Sequence, residues 1–342
     1  MLRTQSSLKL TAIIALVCLI VGAVAPALFT QRTRPLSLKE DISVSMGPAE
    51  AQVADWDAYA AGDGCEDGLK CVVETKQLEI DRHSTTAKTD VDDAAAHAES
   101  DISVTLDGEP IAAIEQSALL NRESAYPMAD SDTSQEFTVH GGAVLNAEGA
   151  EIDGIDYFFP SQTEQRSYPY FDTVMQKSEP IDYLTDEEID GIPTYSFYQK
   201  RHGINISDIF DDQTFPGRAG DFYSDEELAR INLDADEEVN LKPYYAFERT
   251  VWVEPTTGRV VDVNEKMQIY LAQSHIAEPT GERTLFSTDI SWDEASSQAE
   301  LDKVKNTVLG VQVATILGWA LAIVGAVLLL ICAWRFSRQR AQ

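Results

Sequence analysis

The sequence predicts a mainly antiparallel β domain of the α+β type, flanked by two transmembrane helices. Three observations predict it. Uncharged apolar runs stand near both ends, short alternating patterns broken by turn residues fill the middle, and every acidic residue is confined to that middle.

The two end segments set the frame. Leu10 to Phe29 holds no charged residue in 20 positions, about the length a helix needs to cross hydrocarbon. Val308 to Trp334 is longer and again uncharged, with Gln312 as its only strongly polar side chain. An isolated segment in lipid satisfies its backbone only as a helix. Arg3 and Lys9 precede the first span, and Arg335, Arg338 and Arg340 follow the second. The positive-inside rule then places residues 1–9 and 335–342 in the cytoplasm and residues 30–307 outside, on a plasma membrane crossed twice. A signal peptide cleaved near Ala25-Pro26-Ala27 is the competing reading of the first run. Its apolar stretch exceeds a usual signal core and Pro26 sits inside the tripeptide, so the helix is read as retained.

All 57 acidic residues lie between Thr30 and Thr307, with 21 of the 26 basic ones, a formal −36. Such a domain repels nucleic acid and anionic headgroups, which excludes phosphate-backbone binding, and the charge favours solubility. Cys18 and Cys332 fall in the spans, as small apolar residues do. Cys65 and Cys71 bracket the loop CEDGLKC on the side where oxidation is permitted, which predicts a local disulfide. A C-x5-C pair without nearby histidine makes a poor zinc site.

Within the middle, Ile42 to Met46 alternates as a half-buried strand does, and Ala49 to Ala61 reads as a short helix or loop. Lys76 to Ile80 and Ile102 to Leu106 are further strands, the second stopping at Asp107-Gly108. The acidic, Ala-rich stretch Thr86 to Ser100 reads as a poorly packed loop. Phe137 to Leu145, Asp156 to Phe159 and Tyr195 to Lys200 read as strands. The clearest hairpin runs from Tyr244 to Tyr270, turned by Glu254-Pro255-Thr256-Thr257-Gly258: proline ends the first arm and glycine supplies a positive φ. Ser224 to Asn232 opens with a serine cap and acidic residues, a helix start, and Asp293 to Val304 is a polar helix leading into the second span. Pattern alone does not separate a curved, half-barrel-like sheet from a sandwich or a barrel.

Catalytic chemistry finds no foothold. The five histidines show no ligand spacing, the acidic pairs match no calcium loop, and no nucleophile-elbow, Walker or dinucleotide fingerprint is present, so no catalytic residue, metal or cofactor is predicted. What stands out is aromatic: Tyr157, Phe158, Phe159, Tyr168, Tyr170, Phe171, Tyr195, Phe197 and Trp252 are candidates to wall an apolar cavity for an acyl chain, against the plainer reading that they are β core. In the second span Gly310, Ala314, Gly318, Ala322 and Ala326 recur every fourth residue, with a looser stripe of Ala15, Cys18, Gly22 and Ala25 in the first. Small side chains let helix backbones approach closely in lipid, so the stripes are expected to pack the spans together or against a partner's helix.

The runs Asp153-Gly154-Ile155-Asp156-Tyr157-Phe158-Phe159-Pro160, Tyr168-Pro169-Tyr170-Phe171-Asp172, Glu188-Ile189-Asp190-Gly191-Ile192-Pro193-Thr194-Tyr195 and Val251 to Asp262 resemble the actinobacterial porin-PorA-like family. The resemblance covers most of the chain; Asp63 to Ser100 is peculiar to this sequence. It implies a cell-envelope protein of mycolic-acid-containing bacteria, related to proteins linked to polar growth and to trehalose monomycolate handling beside an RND-type transporter. The expectation is therefore a non-enzymatic, membrane-anchored accessory protein whose partners are that transporter, an envelope glycolipid and the membrane. The alternative is an oligomeric porin or channel component.

Overall fold

The structure, a computed structural model, describes residues 2–33, 35–61, 69, 72–128, 133–139, 144–145, 151–207, 214–277 and 279–340. Two compact units make up the chain: Leu36–Leu301, and a second built from Met1–Pro35 with Asp302–Gln342.

Among the described residues the larger unit is built on one 13-stranded antiparallel sheet, curved like a half-barrel. In chain order its strands are β1 (Asp41–Ala54), β2 (Val73–Lys88), β3 (Ala95–Leu106), β4 (Glu109–Asn121), β5 (Ser134–Val139), β6 (Val144–Leu145), β7 (Tyr168–Asp172), β8 (Lys177–Ile189), β9 (Ile192–Asn205), β10 (Phe215–Arg218), β11 (Glu238–Glu254), β12 (Arg259–Ala272) and β13 (Thr284–Ser291). Across the sheet the order is β6-β5-β4-β3-β2-β1-β13-β12-β11-β9-β8-β7, with β10 pairing β11 at one end. Short helices α2 (Trp56–Ala60), α3 (Ala219–Phe222) and α4 (Asp225–Ile231) complete the unit.

The predicted hairpin is β11–β12. Its turn is held by the Glu254 carboxylate, which accepts from the Thr256 and Thr257 amides, each at 2.8 Å. Gly258 has φ +74°, and a Cβ there would lie 2.3 Å from the Phe159 carbonyl oxygen, so both the turn and the segment laid over it require glycine.

Some segments differ from the sequence reading. Thr86 to Ser100 is not a loose loop: it holds the end of β2 and the start of β3, paired from Thr85↔Glu99 to Lys88↔Ala96, and Ala95 and Ala96 are buried. Ala95 and Ala96 are small core residues, which composition alone does not distinguish from a flexible tract. Ala49 to Ala54 continues β1, so only Trp56–Ala60 of the expected helix or loop is helical. Asp156 to Phe159 lies outside every strand; beside it the chain makes a parallel bridge to the sheet, Ile155↔Tyr170. Its alternation reflects packing onto the sheet, not pairing within it.

The largest buried cluster sits on one face of the sheet. Ile42 and Val44 of β1, Ile181 of β8, Phe197 of β9, Val251 and Val253 of β11, and Val260 and Val263 of β12 pack there against Ile155, Tyr157 and Phe159 of the irregular segment. Burying each large side chain contributes about 1.5–3 kcal/mol.

The smaller unit pairs α1 (Leu2–Thr33) with the later part of α5 (Glu294–Arg340), which opens on an Asp293 cap accepting from the Ser296 amide at 2.7 Å. Both carry stretches long and apolar enough to cross a membrane.

Candidate functional site

Three arrangements gather the residues singled out by the sequence. The first is the paired spans. Ala15 and Gly22 of α1 and Gly318, Gly325 and Cys332 of α5 are buried. A Cβ on Gly22 would lie 2.6 Å from the Gly318 carbonyl oxygen, one on Gly318 2.3 Å from Pro26 Cγ, and one on Gly325 2.7 Å from the Ala15 carbonyl oxygen. Rising numbers on one helix meet falling numbers on the other, so the spans are antiparallel. Pro26, inside α1, packs its ring where Gly318 has no side chain. Of the expected stripe, Gly318 is buried, Gly310, Ala314 and Ala322 are half-buried and Ala326 is exposed. The reason is geometric: at 100° per residue a four-residue step gains 40° each time, whereas the seven-residue step Gly318–Gly325–Cys332 loses only about 20° and stays on the seam. Gln312 is exposed.

The second arrangement is the aromatic core. Phe159 lies 5.0 Å from Phe197 and 5.5 Å from Tyr168, ring to ring, and Tyr157 stacks on Trp292 at 6.0 Å. Tyr195 meets Tyr183 edge-on, and Tyr183 in turn meets Phe197. Phe171 belongs to a neighbouring cluster with Ala118, Leu120 and Ile152, and Phe158 packs against both. Trp252 projects to the opposite face of β11 from Val251 and Val253, its indole N–H donating to Glu187 at 2.9 Å. Tyr157, Phe159, Tyr168, Tyr170, Phe171 and Phe197 are buried and fill space with one another. Rings so arranged form part of the core.

The third arrangement was missed by sequence reasoning. Strand register aligns Ser84, Ser100, Gln116 and Gln135 in one row across β2, β3, β4 and β5, and all four are buried. The Ser84 and Ser100 hydroxyls are 2.9 Å apart, and Arg82 Nε donates to both. Gln116 Nε2 donates to Gln135 Oε1 at 3.0 Å, and Gln135 Nε2 to the Thr173 carbonyl at 2.9 Å. Over the row lies the irregular segment, tied down by the Arg82–Asp156 ion pair and by Arg82 stacked 4.9 Å from the Tyr157 ring centre. A cavity of about 30 Å³ remains between them, its wall including Ala98, Ala118 and Gly154. Period-two alternation along Ile114, Gln116, Ala118 and Leu120 is the signal that could have placed Gln116 on the inner face.

Further along the same face Arg249 is buried between Asp172 at 2.5 Å and Glu265 at 2.6 Å, and stacks 4.6 Å from the Phe247 ring. Burial works against its charge, but the two carboxylates more than offset that and hold its pKa well above the ordinary value. Arg259 likewise joins Glu40 to Glu300. Among the described residues no cluster of His, Cys, Asp and Glu is arranged to hold a metal. Cys65 and Cys71 lie outside the described residues.

Two long apolar helices beside a curved antiparallel domain fit a membrane-associated protein. The chain matches the Porin PorA family over residues 9–334 and belongs to it. It is similar to a Porin PorA of Corynebacterium amycolatum, 28% identical over 233 residues covering 61% of this chain and 60% of that protein. It is also similar to a Porin PorA of Corynebacterium resistens, 27% identical over 276 residues, 65% of this chain and 66% of that protein. The matched stretch thus spans about two thirds or less of each relative's length.

Proposed function

We propose that this protein is a non-enzymatic channel component of the cell envelope, working as an assembly of several copies. Membership of the Porin PorA family along nearly the whole chain carries the reading. Several copies are needed on physical grounds: two apolar helices packed backbone to backbone enclose no aqueous path, so water must pass between chains. Gln312 supports this, since the strongly polar side chain of the second span is exposed and free to line such a path. On this reading both termini are cytoplasmic, as the basic residues outside the spans require, and residues 30–307 lie on the outer side.

The glycolipid reading draws less support, because the rings that suggested it are buried against one another. Purified full-length protein reconstituted in planar bilayers is expected to give discrete conductance steps. A silent bilayer would overturn the channel proposal, and co-purification of an RND-type transporter with silent protein would favour the scaffolding role.

A further inference from the structure

We propose that the cavity over the polar row binds a neutral hydroxyl group, which donates to Gln116 Oε1 and shares a hydrogen bond with the Tyr157 hydroxyl. Both oxygens are buried and neither has a partner within the protein. The orientation of the Gln116 amide is set by a chain of contacts ending at a main-chain carbonyl. The Thr173 carbonyl can only accept, so Gln135 must turn its nitrogen to it and its oxygen to Gln116. Gln116 then presents its nitrogen to Gln135, and its oxygen is left with no donor.

The serine pair adds to this. Arg82 Nε donates to both hydroxyl oxygens, and one hydroxyl proton is spent on the other serine, so the second proton remains for an acceptor. The cavity therefore offers an acceptor at Gln116, a spare serine proton, and a tyrosine hydroxyl that serves either role. A group with one proton to give and lone pairs to receive satisfies all of them. An anion, which only accepts, leaves Gln116 orphaned; for a cation, Asp156 is already paired with Arg82, and Glu99, the other acidic residue on the wall, is largely exposed to solvent. A volume of about 30 Å³ suits one or two water-sized groups. Ala98 and Ala118 keep that space open, since longer side chains at these two positions would fill it.

The hydroxyl comes from water or from a small alcohol. Crystal structures of the full-length protein in detergent, with and without ethylene glycol, distinguish the two. Ordered density within hydrogen-bond distance of both Gln116 Oε1 and the Tyr157 oxygen is expected in each. A lone peak that glycol leaves unchanged assigns water, and replacement by the two-carbon diol assigns an alcohol site. Tyr157→Phe, which removes a single oxygen, should lower the occupancy at least twofold, and Gln116→Leu should abolish it. An empty cavity in the wild type, or density unchanged in both variants, overturns the proposal.

Discussion

Glu227 illustrates how single residues hold this fold. It stands three positions after the Ser224 cap of α4, and its carboxylate accepts from the Ser224 amide at 3.2 Å and from Arg283 Nη1 at 2.8 Å. Burial opposes its charge, yet the hydrogen bonds from Arg283 and Ser224 outweigh that and lower its pKa below the usual 4.5. The folded state therefore binds this proton less readily than the unfolded chain does. Its stabilising contribution is complete above about pH 4.5 and is lost as pH falls through the lower folded value. Denaturant titrations of Glu227→Gln should show a stability deficit at neutral pH that shrinks steadily below that point; a deficit independent of pH would show the charge to be irrelevant. The Ser-x-x-Glu cap was legible in the sequence because its partners are three residues apart. Arg283, 56 positions on, was not, and neither were Arg249 with Asp172 or Arg82 with Asp156, separated by 77 and 74. Ion pairs of that kind leave no local pattern, because only the finished sheet brings them together.

At the scale of elements, legibility followed periodicity. The β11–β12 hairpin was visible from its alternation and from Pro255 and Gly258, α4 from its serine cap, and α5 from the polar run that leads into the uncharged apolar span. The inner row of serines and glutamines was not, since each polar residue looks unremarkable on its own strand and the row exists only across four. The spans show a subtler version: small residues every fourth position were easy to see, but the buried seam follows a seven-residue step. That difference yields a test. Gly318→Leu places its side chain into Pro26 and the Gly22 carbonyl, and should lower the thermal midpoint of the detergent-solubilised protein by several degrees, consistent with overpacking costs of about 1–3 kcal/mol. Ala326→Leu, on the exposed side, should leave it nearly unchanged. Equal effects at both positions would remove Gly318 from the interface.

For the whole molecule, the formal −36 between Thr30 and Thr307 bears on the channel proposal. Acidic groups near a conducting path draw cations to it, so reversal potentials under a salt gradient should report preference for cations over anions. The preference should weaken from 0.1 M to 1 M salt, as the screening length shrinks from about 10 Å to about 3 Å. Anion preference at low salt would place the path away from these charges. Topology follows a logic of its own. Five strands spread from β1 toward one edge in simple succession, whereas β13 returns across the domain to the flank of β1, a pairing that no local pattern announces.

That return has a consequence for how the molecule comes into being. The Thr288 hydroxyl donates to the Glu50 carbonyl across 238 positions of chain, and on the flank away from β2 Ala51, Gln52 and Val53 pair with Thr288, Ser287 and Phe286. During synthesis the first strand must wait, one flank bare, while almost the entire domain is made. A chain interrupted before Thr284 would lose not a rim but its keystone, leaving two half-sheets with raw edges facing each other and any other copy nearby.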